Sequence, residues 1–106
     1  MPLRKQQNCK DMTDCKDLNE VRENIDRIDD QIIRLIAERG GYVKQAAAFK
    51  KNEESVRDSS RVEAVILKAR TKAELYDADP DLSEKLYRSM INSFINMEMK
   101  EFKGVN

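Results

Sequence analysis

The apolar residues between positions 18 and 49 recur every three or four residues, so they share one face of a single long helix. The spacing holds at Leu18, Val21, Ile25, Ile28, Ile32, Leu35, Arg39, Tyr42, Ala46 and Phe49. Asp17, with Glu20 three residues later, is typical of a helix start. A helix from Asp17 to Phe49 would span roughly 50 Å, which is too long for a compact domain of this size. We therefore expect a second chain to cover much of this apolar stripe.

Two further helices are predicted after a polar connection over residues 51–60. The second begins near Asp58 or Ser60. Its apolar positions are Val62, Val65, Ile66, Ala69 and Ala73. The third begins at Asp79-Pro80, because aspartate is a good N-cap and proline is favoured at the first helical position. Its inward positions are Leu82, Leu86, Tyr87, Met90, Ile91, Phe94 and Ile95.

The predicted fold class is therefore all-α, with three helices per chain. The helical domain is predicted to cover residues 17–102. A flexible polar leader over residues 1–16 precedes it, and a frayed tail over residues 103–106 follows it.

Three charged side chains interrupt the apolar faces. Arg39 occupies the stripe of the first helix, and Lys50, eleven residues later, points within roughly 20° of it. Glu98 continues the stripe of the third helix, four residues after Phe94. Burying a charge costs several kcal/mol unless an opposite charge meets it. Two interpretations stay open: Arg39 and Glu98 pair inside the bundle, or the cations line a cavity for a small anionic ligand.

Gly40 and Gly41 interrupt the first helix next to Arg39. Each glycine costs about 1 kcal/mol relative to alanine in a helix interior. The pair is either a weak point where the helix bends, or a place where another backbone or a ligand approaches closely. Both interpretations fit the sequence.

Composition limits the possible chemistry. The chain has 106 residues, enough for one domain. Its 20 basic and 20 acidic residues give no net charge, and this balance argues against a general nucleic-acid binder. The chain has no histidine, which is the usual general base in enzymes. Its two cysteines, Cys9 and Cys15, are too few ligands for a zinc site. No signal-peptide core or membrane-length apolar run occurs, so we expect a cytoplasmic protein. Any catalysis would use charge placement and shape, without metal or cofactor.

Several sequence segments are distinctive in their order and spacing. These segments are VRENIDRID, AERGGYVK with the Lys50 that follows it, VRDSSRVEAVI with Arg61, and the closing DPDLSEKLYRSMINSFINME. From residue 18 to about 100 the chain resembles the all-helical, AroQ class of chorismate mutases, which includes the related isochorismate-pyruvate lyases. The resemblance implies an intertwined homodimer with two equivalent buried sites. It also implies rearrangement of chorismate, a small dicarboxylate, to prephenate, a reaction that rigid cations promote by electrostatic preorganisation.

The resemblance implies catalytic roles for Arg39, Lys50 and Glu98. Arg39 would bind a substrate carboxylate, and Lys50 would hydrogen-bond the ether oxygen and a carboxylate. Glu98 would face that oxygen from the far side. Arg22 would reach from one subunit into the site of the other, although from the residues alone it is a solvent-facing charge about 100° around the helix from Arg39.

The resemblance also implies a set of substrate-binding residues near the start of the second helix. They are Asp58, Arg61, Arg57 and Val62. Capping of the helix is an alternative role for Asp58 and Arg61.

Val62 and Phe94 depart from the mutase pattern. In typical mutases a glutamate follows the arginine directly and binds the substrate's ring hydroxyl, whereas here Val62 follows Arg61 and Glu63 comes one residue late. An arginine-valine pair is similar to the isochorismate-pyruvate lyases. Phe94 replaces a small polar residue seen in some mutases. Because one hydrogen bond is worth on the order of 1–3 kcal/mol, its loss slows an enzyme without ending its activity.

We therefore predict a chorismate mutase. An isochorismate-pyruvate lyase is the alternative, and a non-catalytic helical dimerisation or regulatory module is the second alternative. Glu98 adds a pH dependence, because a glutamate must be protonated to donate to an ether oxygen. We expect activity to increase toward mildly acidic pH and Glu98→Gln to change that profile.

Overall fold

The computed structural model of the chain describes residues 12–104, and within them the fold is all-α, as predicted, with no strand. Its helices are α1 (Leu18–Ala47), α2 (Glu53–Arg57), α3 (Ser59–Leu75) and α4 (Pro80–Lys103). Most of the predicted leader, residues 1–11, and the end of the predicted tail, residues 105–106, lie outside the described residues. Gly104, at a φ of 72°, caps the end of α4.

The predicted starts of the first and third long helices are confirmed. The Asp17 side chain accepts a hydrogen bond from the backbone N–H of Glu20 at 2.9 Å. Asp79 accepts one from the N–H of Asp81, also at 2.9 Å, and Pro80 is the first residue of α4. These caps satisfy N–H groups that have no partner within the helix.

The prediction that residues 51–60 form only a polar connection is wrong in part, because this segment contains helix α2. The Asn52 side chain accepts a hydrogen bond from the N–H of Ser55 at 2.9 Å and so starts this five-residue helix. Helix α1 correspondingly ends at Ala47, two residues before the predicted Phe49. The polar connection is therefore a short ordered element that leads directly into α3.

Helix α4 forms the centre of the fold and packs against α1, α2 and α3. The buried apolar residues are Ala47, Val56, Ile66, Ala73, Ile91, Phe94 and Met99. Of the positions predicted to face inward on α4, Ile91 and Phe94 are buried, but Leu82 and Leu86 remain exposed in the single chain. Most of the core therefore lies where the second half of α4 meets the end of α1, helix α2 and the first half of α3.

The apolar stripe of α1 stays uncovered in the single chain. Ile25 is 50% exposed and Leu35 is 63% exposed, and their neighbours on the stripe are exposed as well. The molecule measures 52 × 27 × 18 Å and has a radius of gyration of 17.1 Å, against about 13 Å for a compact domain of similar length. None of the described helices is long and apolar enough to cross a membrane. Because monomeric proteins rarely expose such large contiguous apolar patches, this stripe is a candidate interface.

A network of charged side chains joins α3 to α4 on the outer surface. Arg88 donates to both carboxylate oxygens of Glu63, at 2.8 and 2.9 Å, and to Glu84 at 2.7 Å. Arg70 in turn binds Glu84 at 2.8 Å and Asp81 at 3.0 Å. The hydrogen bonds from Arg88 hold the pKa values of Glu63 and Glu84 below their ordinary value, with Arg70 adding to the effect at Glu84.

Replacing Arg88 with methionine is expected to remove a pH-dependent part of the stability. Because the pKa values of Glu63 and Glu84 are lowered in the folded state, their contribution is present above the ordinary value of 4.5 and is lost as the pH falls through the lowered values. Thermal unfolding followed by circular dichroism should give the wild type a modestly higher Tm at pH about 6.5, since the pairs are exposed. The difference should shrink toward pH about 3. A difference that grows with acidification would contradict this expectation.

Candidate active site

A cavity of about 480 Å³ opens between the end of α1, the start of α3 and the second half of α4. Its charged lining residues are Arg39, Lys50, Asp58, Arg61 and Glu98. The remaining lining is apolar or aromatic: Tyr42, Val43, Ala46, Val56, Val62, Val65, Ile91, Phe94 and Ile95. Three cations and two carboxylates thus converge on an apolar-walled space large enough for a small molecule. Six of the predicted site residues are brought together here.

Lys50 and Glu98 form an ion pair inside this cavity. The Lys50 Nζ atom donates to Oε2 of Glu98 at 2.7 Å and to the backbone oxygen of Ser55 at 3.2 Å. The Glu98 side chain is 8% exposed, and that of Lys50 is 27% exposed. Because a buried carboxylate is costly without a partner, Lys50 compensates the charge of Glu98. The interpretation in which Arg39 pairs with Glu98 is therefore wrong.

Arg39 lies against an aromatic ring instead of a carboxylate. Its guanidinium carbon is 4.9 Å from the centroid of the Phe94 ring, within the range of a cation–π contact. In the described part of the chain Arg39 makes no salt bridge. Its positive charge is thus left available at the cavity, next to Arg61.

Asp58 lies at the edge of the cavity and caps α3. Its Oδ1 atom accepts hydrogen bonds from the Ser60 hydroxyl at 2.7 Å and from the N–H of Arg61 at 3.2 Å. The Ser60 hydrogen bond, followed by that from Arg61, lowers the pKa of Asp58. The capping role considered for Asp58 is confirmed, and it leaves an ionised carboxylate at the cavity mouth.

Val62 and Glu63 point in different directions at the start of α3. Val62 lines the cavity. The carboxylate of Glu63 is held on the outer surface by both hydrogen bonds from Arg88. Consecutive helical residues are about 100° apart, so the one-residue offset seen in the sequence removes Glu63 from the site. Within α3, no carboxylate lines the cavity.

Two predicted site residues lie elsewhere. Arg57, at the end of α2, lines a separate depression with Glu63 and Asn92. Arg22 is exposed near the start of α1 and does not line the cavity of its own chain.

Comparison with known proteins identifies the family of the chain. Residues 21–99 match the family described as chorismate mutase type II. The chain belongs to the chorismate mutase type II family. It is also 33% identical over 90 residues to the isochorismate pyruvate lyase of Pseudomonas aeruginosa, with 85% of this chain and 89% of that protein covered. The resemblance drawn from the sequence motifs is confirmed, and the family and this relative point to an enzyme of the chorismate mutase or isochorismate pyruvate lyase type.

One contribution to the candidate site was missed in the sequence analysis. The backbone oxygen of Ser55 holds the Lys50 ammonium, and it does so because α2 turns the chain back toward α4. A signal for α2 was present, since Asn52 followed by Glu53 and Glu54 is favourable at a helix start. The carbonyl contact itself carries no sequence signal, because every residue has a backbone oxygen.

Proposed function

We propose that this protein rearranges chorismate to prephenate in the cavity between α1, α3 and α4. The observation that carries the proposal is the Lys50–Glu98 pair at 2.7 Å, set in an apolar cavity that also holds Arg39 and Arg61. Chorismate has two carboxylates, and negative charge develops on its ether oxygen as the carbon–oxygen bond breaks. Cations fixed in a water-poor cavity stabilise such a transition state more than they stabilise the substrate.

Each charged residue has a distinct role in the proposed reaction. Arg39 and Arg61 bind the substrate carboxylates and hold the compact conformer in which the new carbon–carbon bond can form. Lys50 donates a hydrogen bond to the ether oxygen, and Glu98 lies on the other side of that oxygen. The substrate therefore takes the place of the direct hydrogen bond between Lys50 and Glu98. Glu98 must carry a proton when it donates to the ether oxygen, so the expected increase in activity toward acidic pH stays a prediction.

We also propose that the active unit is a homodimer. The apolar stripe of α1 is exposed in the single chain. A groove of about 490 Å³ beside the cavity is a surface on which the α1 helix of a second chain can pack. The groove has an apolar floor at Val65, Ala69 and Ala73, with Lys68 and Lys72 along it.

The charges of the two surfaces are complementary. The first part of α1, residues 18–30, has five acidic residues, Glu20, Glu23, Asp26, Asp29 and Asp30, against two basic ones, Arg22 and Arg27. Laid on the groove of a second copy, this segment would bury apolar surface on both chains and oppose carboxylates to lysines. It would also bring Arg22 toward the cavity of the other chain.

Turnover of chorismate tests the proposal. Purified protein incubated with chorismate should give prephenate, identified by mass spectrometry, at a rate far above the uncatalysed reaction. A non-catalytic dimerisation module would instead show no turnover, and it would tolerate the loss of Arg39 or Lys50. Absence of prephenate under conditions where the protein is folded would contradict the proposed activity.

Isochorismate pyruvate lyase activity is the second candidate function. Two observations favour it: Val62 lines the cavity where typical mutases have a glutamate, and the relative from Pseudomonas aeruginosa is an isochorismate pyruvate lyase. Chorismate and isochorismate differ in the position of a ring hydroxyl. The residue at position 62 therefore bears directly on the choice between the two substrates.

Replacing Val62 with glutamate is expected to shift the specificity toward chorismate. The new carboxylate would enter the cavity and accept a hydrogen bond from the ring hydroxyl of chorismate, a contact worth about 1–2 kcal/mol. The ratio of kcat/KM for chorismate to that for isochorismate should rise by about 5- to 30-fold.

Glu63→Gln is the matched control for this substitution. Its carboxylate lies one residue further along α3 but is bound to Arg88 outside the cavity. This variant should leave the ratio unchanged. Equal effects of Val62→Glu on both substrates would contradict a role of this position in specificity.

A further inference from the structure

We propose that Phe94 is a positioning residue for Arg39, and that Gly40 sets how closely the Phe94 ring approaches α1. The inference extends the proposed function, because Arg39 is one of the cations assigned to the substrate. It concerns two residues to which the family resemblance gives no role in this site. Phe94 lies on α4, whereas Gly40 and Arg39 are neighbours on α1.

The Phe94 side chain is buried in the core, and the guanidinium group of Arg39 lies over the face of its ring. Phe94 is 7% exposed, and the guanidinium carbon of Arg39 lies 4.9 Å from its ring centroid. Arginine has a long side chain with several rotatable bonds, so holding it in one place requires a partner. Lys50 has such a partner in Glu98, whereas Arg39 makes no ion pair among residues 12–104. The ring is therefore the contact that orients the free guanidinium.

An aromatic ring suits this task better than a carboxylate would. A carboxylate beside Arg39 would neutralise the charge that the substrate has to meet and would compete with the substrate for its N–H donors. A ring face attracts the cation but leaves those N–H donors, which lie at the edge of the planar guanidinium, free to bind. The arrangement thus holds Arg39 in place and keeps it available for a substrate carboxylate.

Gly40 allows the ring to lie where it does. A Cβ atom added at Gly40 would come within 3.1 Å of Cε1 of Phe94, closer than ordinary van der Waals contact. At Gly41 an added Cβ would meet nothing within 4 Å in the described chain. A close approach is therefore present at Gly40, but it involves a side chain of α4, whereas the sequence suggested a backbone or a ligand. Any larger residue at position 40 would displace the ring and, with it, the guanidinium.

A double-mutant cycle tests the role of Phe94. Phe94→Leu is expected to lower kcat/KM for chorismate by about 10-fold, mainly through KM, because Arg39 still reaches the carboxylate but is less ordered before binding. Phe94→Tyr, which keeps the ring face, should stay within about 2-fold of the wild type. In an Arg39→Gln background, Phe94→Leu should cost less than about 2-fold. An equal cost in both backgrounds would show a general packing role and overturn the proposal.

The adjacent glycines provide a matched pair of variants. Gly40→Ala and Gly41→Ala add the same methyl group and bring the same gain in helix propensity. Gly40→Ala is expected to lower kcat/KM by about 3- to 10-fold, and Gly41→Ala to leave it within about 2-fold. The effect of Gly40→Ala should disappear in the Phe94→Leu background, where no ring is displaced. Equal effects of the two alanines would contradict the role assigned to Gly40.

A spectroscopic measurement separates this inference from the proposed activity. In ¹H–¹⁵N spectra of the folded protein, the Arg39 Nε–H resonance should be shifted by the ring current of Phe94 and should return toward the ordinary arginine position in Phe94→Leu. This result is expected whether or not chorismate is turned over. An Arg39 resonance that is the same in wild type and variant would overturn the inference, whereas lack of turnover alone would count only against the proposed function.

Discussion

Replacing Lys50 with methionine is expected to lower kcat/KM for chorismate by about two to three orders of magnitude. The Lys50 ammonium is held in the cavity by two partners, Glu98 at 2.7 Å and the backbone oxygen of Ser55 at 3.2 Å. Its loss removes a hydrogen bond to the ether oxygen that strengthens as negative charge develops there. Because the contact matters most in the transition state, kcat should fall along with kcat/KM. Steady-state kinetics with chorismate measures both.

Stability has to be separated from chemistry in this variant. Lys50→Met leaves the Glu98 carboxylate, 8% exposed, without its partner, which should cost about 1–3 kcal/mol of unfolding free energy. The double variant Lys50→Met/Glu98→Gln removes the uncompensated charge and should recover most of that loss, as measured by urea unfolding. It should not recover the activity. If activity returned together with stability, Lys50 would be a structural residue and its proposed role would be wrong.

Mixing Arg22→Ala chains with Lys50→Met chains is expected to restore activity that neither variant has alone. If Arg22 acts in the site of the other subunit, a mixed dimer contains one site with both residues intact. Random reassortment after joint unfolding and refolding makes about half of the dimers mixed, each with one working site of two. The mixture should therefore reach about one quarter of wild-type activity per chain.

A second pair of variants provides the control for complementation. Lys50 and Glu98 form their ion pair within one chain, so chains carrying Lys50→Met and chains carrying Glu98→Ala share no intact site when mixed. That mixture should stay inactive. Recovery of activity in both mixtures would show that the recovery does not depend on a site shared between two chains. No recovery of activity in the mixture with Arg22→Ala chains would contradict the proposed position of Arg22 across the dimer. A monomeric mass in analytical ultracentrifugation would contradict the dimer itself.

The three long helices were predictable because their signals are local. Asp17 and the Asp79-Pro80 pair are caps whose partners lie two or three residues away, and both are found at helix starts. The apolar periodicity needs only the helical repeat. Helix α2 escaped detection because five residues are too few to show a period. The apolar stripe on α1 is exposed in the single chain, as the length of the predicted helix indicated.

Three charged residues of the candidate site could be predicted from the residue pattern, but the ion pairing between them could not. Arg39, Lys50 and Glu98 were identified as charges on apolar faces, and all three line one cavity. Which carboxylate meets which cation depends on the path of the chain after Ala47, where α1 ends and periodicity no longer applies. That path brings Lys50 to Glu98 and leaves Arg39 on the ring of Phe94. The outward position of Glu63 did follow from the sequence, because an offset of one residue on a helix is a fixed rotation of about 100°.

A direct comparison of chorismate and isochorismate as substrates tests the central claim. Purified protein is given each substrate at pH about 5 and at pH about 7.5, and the products are identified by mass spectrometry. We expect prephenate from chorismate with the higher kcat/KM. Salicylate and pyruvate from isochorismate as the faster reaction would contradict the mutase assignment in favour of the lyase, and turnover of neither substrate would contradict both.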